Sequence, residues 1–227
     1  TEEVFSNLDT GASRLEQWIT AYQRQILGFI FGIILVVLGY LGYQSLILNP
    51  KIAEANTEIF LAQDFFEKGL ADEDLRDSLF QNALSGANGK YGFLDIIDNY
   101  GGTPAANLAT YSSGMIYLHL GEYELAIDFL EDFNSSDPLL TPLALGGIGD
   151  AFAELDQLSD ALNYYEKALS FSDNQITYPR YLRKAGLVAL SLGDKKTAKA
   201  YFTSLKDDFS SGIDAKHIDA LLGQASI

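Results

Sequence analysis

Apolar residues recur along most of this chain at the three- and four-residue spacing of a helix, and no segment alternates strongly enough to argue for a strand. The pattern is most regular from residue 105. It predicts helices over 105–120 and 122–133, then 139–154 and 158–171, then 178–192 and 194–208, with a capping helix over Ile213 to Leu222. Asp137-Pro138, Thr141-Pro142 and Tyr178-Pro179 punctuate the pair boundaries, where proline can open a helix. Upstream, Ile52, Ala55, Ile59, Ala62, Phe65 and Phe66 form one helical stripe that ends at Lys68-Gly69. Leu75, Leu79, Phe80 and Ala83 mark a helix over Asp74 to Leu84, and Phe93, Ile96, Ile97 and Tyr100 a third, short one. Glycine-rich Ser85 to Gly92 and the turn cluster Asn99 to Pro104 read as connections.

A longer period lies over the regular part. Gly114, Tyr117 and Ala126 recur as Gly149, Phe152 and Ala161, and again as Gly186, Ala189 and Ala198, at offsets of 35 and 37 residues. Seven residues after each leading glycine stands a turn residue, Gly121, Asp156 or Gly193; sixteen after it stands a large apolar one, Leu130, Tyr165 or Phe202. A fixed period in this range marks an array of helix pairs. Each leading glycine falls in mid-helix, where it costs ~1 kcal/mol relative to alanine, so its recurrence asks for a contact. The expected contact is the second helix of the pair, with Ala126, Ala161 and Ala198 small on the facing side. Leu130, Tyr165 and Phe202 are then expected to fill the space toward the next pair.

These spacings resemble the tetratricopeptide repeat, most closely over Leu155-Asp-Gln-Leu-Ser-Asp-Ala-Leu-Asn-Tyr-Tyr-Glu-Lys-Ala-Leu169. The resemblance covers about 105–212. The tryptophan common early in that repeat is absent from all three sets, and Ala189 replaces the aromatic in the third. The resemblance implies an all-α solenoid whose first helices line a concave binding face. Counting three residues back, one on and five on from each glycine gives the inward stripe. It comprises Tyr111, Met115 and His119; Gly146, Asp150 and Glu154; and Arg183, Leu187 and Ser191, with Arg180 beside the last set. Packing against a neighbouring helix is an equal reading for Met115 and Leu187.

Ile26 to Leu48 is a run of 23 residues without a charge. At ~1.5 Å per residue it spans a ~30 Å hydrocarbon layer, and it exceeds the ~7–15 residues of a secretory signal core. An uncleaved membrane helix is the expectation, although Ala53-Glu54-Ala55 has the form of a cleavage site. Ser13 is expected to cap a helix with Leu15, Trp18, Ile19 and Tyr22 on one face, and Trp18 and Tyr22 suit the membrane–water interface. Gly28 and Gly32, with Gly39 and Gly42 on a nearby face, are spaced to let another helix approach closely. Asn49-Pro50 is expected to end the run. The predicted organisation is a leader over 1–25, a transmembrane helix over 26–48, and irregular solenoid helices over 49–104. Three repeats follow over 105–212, and a C-terminal cap over 213–227.

The formal net charge is −16; residues 1–25 account for −2 and the apolar run for none, leaving −14 on 49–227. Such a field disfavours nucleic acid and anionic headgroups as ligands. The absence of cysteine removes disulfides, thiolate metal sites and cysteine nucleophiles from the sequence. His119 and His217 lack partners at metal-ligand spacing. Gly146-Gly147-Ile148-Gly149 falls inside a repeat helix, where backbone N–H groups are not free to cradle phosphate. Asp72-Glu73-Asp74 complements a helix start, and Asp207-Asp208 reads as solvated surface. No enzyme, cofactor, metal or small-molecule substrate is expected. Arg14 and Arg24 before the run, against Lys51 after it, favour an inside N-terminus.

The whole layout is similar to the YfgM family, through its leader, single membrane helix and irregular-then-regular helix pairs, and through Tyr91-Gly-Phe-Leu-Asp to Asn99-Tyr-Gly-Gly-Thr103. That resemblance implies a single-pass protein of the Gram-negative inner membrane, with a cytoplasmic N-terminus and a periplasmic repeat domain. It also implies as partners the Sec translocon subunits, a membrane-anchored chaperone of the prolyl-isomerase type, and nascent secreted chains. A structural subunit of another envelope assembly or secretion machine is the alternative. A cytosol-facing chaperone receptor would use lysines and asparagines to hold a carboxylate tail, and the inward stripe does not supply them.

Overall fold

The computed structural model describes the backbone of residues 2–171 and 173–226, and the side chains of 18, 20–171 and 173–226. Helix dominates: α1 (Glu2–Tyr43), α2 (Asn49–Ala71), α3 (Arg76–Ser85), α4 (Phe93–Tyr100), α5 (Pro104–Leu120), α6 (Tyr123–Asp132), α7 (Leu140–Glu154), α8 (Leu158–Phe171), α9 (Tyr178–Ser191), α10 (Lys195–Phe209) and α11 (Ile218–Gln224). Among the described residues the sole β-pairing is an isolated bridge between Ala87 and Lys90. The chain divides into two compact units, residues 1–53 and 54–227.

In the first unit, Ser13 lies inside α1 and does not open a helix; its side chain, like those of Leu15 and Ile19, is outside the described residues. The Trp18 and Tyr22 rings lie 5.4 Å apart, both exposed. The stretch from Leu27 to Ile47 leaves its large apolar side chains exposed, and by length and composition the helix is long and apolar enough to cross a membrane. Asn49-Pro50 does not end the helical path, contrary to expectation. Proline lacks an N–H and its ring crowds the carbonyl four residues back. Here a π-helical turn, Gln44–Leu48, widens the helix ahead of it, with the Asn49 N–H donating to the Gln44 carbonyl. Pro50 therefore sits inside helical geometry.

In the second unit, Ala55, Ile59 and Ala62 of α2 share a buried cluster with Phe80, Phe93, Ile96, Tyr100 and Ile116. The array proper is three antiparallel pairs, α5/α6, α7/α8 and α9/α10. Thr103 caps α5 by accepting from the Ala106 N–H, with Pro104 in the first turn, and Asp194 caps α10 through the Thr197 N–H. Each pair turns through the predicted residue, and in all three that residue is left-handed: Gly121 at φ +80°, Asp156 at +60°, Gly193 at +81°. The same bond closes each helix, from the N–H of Glu122, Gln157 and Asp194 to the carbonyl of Tyr117, Phe152 and Ala189. The cap over 213–222 is broken where one helix was expected. Ile213–Ala215 is a 3₁₀ turn and α11 begins at Ile218, because His217 adopts φ +61° between them.

The glycine contacts differ in one respect from the expectation. A Cβ on Gly114 would lie 2.6 Å from the Leu130 side chain, on Gly149 2.6 Å from the Tyr165 ring, and on Gly186 2.4 Å from the Phe202 ring. The large residue at +16 therefore seats on the glycine of its own pair, and its far side serves the next pair. Leu130 reaches Gly147 of α7, and the Tyr165 ring stacks on Tyr181 of α9 at 6.0 Å.

Candidate partner-binding cleft

A cleft of about 460 Å³ crosses the first helices of the three pairs. Leu118 and His119 of α5 form one side, with Tyr123 at the start of α6. Asp150, Ala153 and Glu154 of α7 lie in the middle with Tyr165 of α8, and Lys184, Leu187 and Val188 of α9 form the other side. The floor is apolar and the rim carries charge.

The central carboxylate is fully engaged. Lys184 Nζ donates to both Asp150 oxygens at 2.6 Å, and the Tyr165 hydroxyl donates to Oδ1 at 2.7 Å. Burial, then the charge of Asp150, holds the Tyr165 phenol well above its ordinary range, so it stays protonated and donates. One residue of α7 is thereby tied to α8 and α9. Glu154, one turn on, is exposed; the Tyr123 hydroxyl lies 3.4 Å from its Oε2. His119 packs on the Phe80 ring at a centroid distance of 5.6 Å, and burial followed by the nearby Arg76 charge lowers its pKa.

Of the expected stripe, His119, Asp150, Glu154 and Leu187 line the cleft. Met115 is half-buried in the core around Tyr111 and Ile148. The members counted three residues before each glycine do not face the cleft. Tyr111 is buried against Phe133, with ring centroids 5.1 Å apart, and burial pushes its phenol up to about 12. Gly146 lies directly beneath the Tyr181 ring. The Arg183 guanidinium donates to the carbonyls of Asp214 and Lys216 at 3.0 and 2.9 Å, clamping the cap. That register faces the next unit of the array each time. In the third pair Lys184, one residue after Arg183, lines the cleft instead; the matching Ser112 is buried, and Gly147 packs on Leu130. Arg180 is exposed beside the Tyr111 and Tyr181 phenols, where its charge opposes the effect of burial. Gly28, Gly32, Gly39 and Gly42 belong to the first unit, and a Cβ on any of them would meet nothing within 4 Å.

A second periodic feature went unread in the sequence. The Tyr164 hydroxyl donates to Glu131 at 2.5 Å, and Tyr201 to Glu166 at 2.7 Å. In repeat terms, a tyrosine fifteen after one glycine reaches a glutamate seventeen after the glycine before it. The ladder stops where Thr203 takes the glutamate's place. Only the matched offsets of Tyr164 with Tyr201 and Glu131 with Glu166 carry that signal in sequence.

The tetratricopeptide repeat family matches residues 109–138 and 144–175. No curated protein matches the sequence. Among solved structures, the chain is similar to a MamA fragment from Desulfovibrio magneticus, at 22% identity and TM-score 0.50, covering 67% of this chain and 77% of that one. It is also similar to a Podospora anserina protein described as a kinesin light chain with nearly identical tetratricopeptide-like repeats. There the identity is 11% and the TM-score 0.55, covering 77% of this chain and 85% of that one. At these identities the likeness concerns the fold. The third pair lies outside the matched residues, yet α9/α10 keeps the same glycine contact and left-handed turn. Residues 109–138 and 144–175 carry tetratricopeptide repeats, a module of protein-interaction scaffolds and adaptors.

Proposed function

We propose that this chain is a membrane-tethered tetratricopeptide-repeat adaptor of the bacterial envelope, accessory to the Sec translocon, whose repeat domain docks a periplasmic chaperone of the prolyl-isomerase type or emerging chains. The observation that carries the reading is the pairing of two surfaces. One is an apolar-floored cleft with a charged rim across α5, α7 and α9; the other is an exposed apolar helix of membrane-spanning length. A tether plus a docking surface is what an adaptor needs. The resemblance of the layout to the YfgM family supports the location, as do Arg14 and Arg24 ahead of the apolar run against Lys51 after it. Co-purification from gently solubilised inner membranes tests it. Translocon subunits and the chaperone are expected with the full chain. Recovery of neither removes the Sec assignment.

A further inference from the structure

We propose that the cleft receives a cationic side chain, arginine in preference to lysine, carried on an apolar segment of the partner protein. The proposal rests on the adaptor reading and specifies the ligand of its cleft. Two carboxylates stand one helical turn apart on α7, and they differ in availability. Asp150 is saturated by Lys184 and Tyr165. Glu154 has no ion-pair partner among the described residues and accepts only a long hydrogen bond, 3.4 Å, from Tyr123. The cleft therefore presents one free carboxylate, Glu154, beside the Tyr123 ring, together with Leu118, Ala153 and Leu187. A guanidinium fits that set: its fork pairs with the carboxylate, its plane stacks on the Tyr123 ring, and its methylene stem covers the apolar floor. The −14 charge on 49–227 steers a cation inward and an anion away. Lys184, the cation lining the cleft, is already spent on Asp150 and does not attract a carboxylate.

The test uses the full chain in detergent micelles and a fluorescein-labelled nonapeptide alternating arginine with leucine. Its twin carries citrulline for arginine, which keeps the shape and removes the charge. Fluorescence anisotropy is expected to show the arginine peptide binding roughly five- to tenfold tighter than the citrulline peptide, the scale of an exposed ion pair with a cation–π contact. Glu154→Gln is expected to erase that preference, chiefly by weakening the arginine peptide, and Leu187→Ala to weaken both peptides. Equal affinity for the two peptides overturns the proposal. So does an arginine preference that survives Glu154→Gln, since that reports only attraction to an acidic protein, and so does absence of saturable binding to either. Any of these, with co-purification intact, leaves the adaptor reading standing; loss of co-purification bears on that reading alone.

Discussion

Glycine does opposite things in the two units of this molecule. In the repeats, a methyl group on Gly114, Gly149 or Gly186 would strike a large side chain at 2.4–2.6 Å. In the apolar helix, a methyl group on Gly28, Gly32, Gly39 or Gly42 would meet nothing within 4 Å. The first set is explained within the chain, because each glycine is the socket for the Leu130, Tyr165 or Phe202 of its own pair. Among the described residues nothing approaches the second set, and lipid or a partner helix is what would give it a role. Both regions are helical and apolar. What separates them is whether an apolar face finds its partner in the same chain.

The sharpest way to break the comparison is to fill a socket. Gly149→Leu gains up to ~1 kcal/mol of helix propensity but forces the side chain into the Tyr165 ring, and overpacking of this kind costs ~1–3 kcal/mol. The Tyr165 ring is not free to retreat, since its hydroxyl donates to Asp150 and its face stacks on Tyr181. A net loss in thermal or denaturant unfolding of the repeat unit is expected. Unchanged stability would mean that the glycine is not a contact site.

The period-bearing residues were the legible part of the fold, because a residue that must be small or left-handed leaves a mark at fixed spacing. The six helices over 105–208 form with ends displaced by a residue or two at most. The inward stripe was legible only in part. Residues three and two before a glycine lie ~100° apart around the helix, and the angle at which helices cross decides which of them faces the cleft. That angle is a tertiary property, and counting from the glycine gives Arg183 where the structure places Lys184. The Asp150–Lys184–Tyr165 cluster joins residues 15 and 34 positions apart, which no local pattern encodes. Pro50 misled for a related reason: proline forbids one hydrogen bond, and the π-turn before it supplies another geometry.

A smaller change tests how far the three repeats are equivalent. Gly121 and Gly193 turn the outer two without steric cost, whereas Asp156 holds φ +60° in the middle one. A non-glycine residue in the left-handed region carries a penalty of roughly 1–2 kcal/mol, less for aspartate than for most. Asp156→Gly is expected to raise stability by about 0.5–1 kcal/mol, part of the gain being returned to the entropy of the unfolded chain. Gly121→Asp, the reverse exchange, is expected to lower it. If both move the melting temperature the same way, the turns are not interchangeable and the repeat frame needs revision.

The smallest expected effect on stability is none, and it completes the comparison. Gly28→Leu with Gly32→Leu places two large side chains where the structure puts only open space. Unlike Gly149, these positions face no side chain that would have to move. Unfolding of the repeat unit is therefore expected to stay within the ~0.5 kcal/mol typical of surface changes. The effect should appear elsewhere. If the small-residue face admits a partner helix in the membrane, the two leucines hold that helix off, and recovery of translocon subunits falls while peptide binding in the cleft persists. Recovery that does not change would assign the glycines to lipid contact alone. A loss of repeat stability would contradict the separation of the two glycine sets.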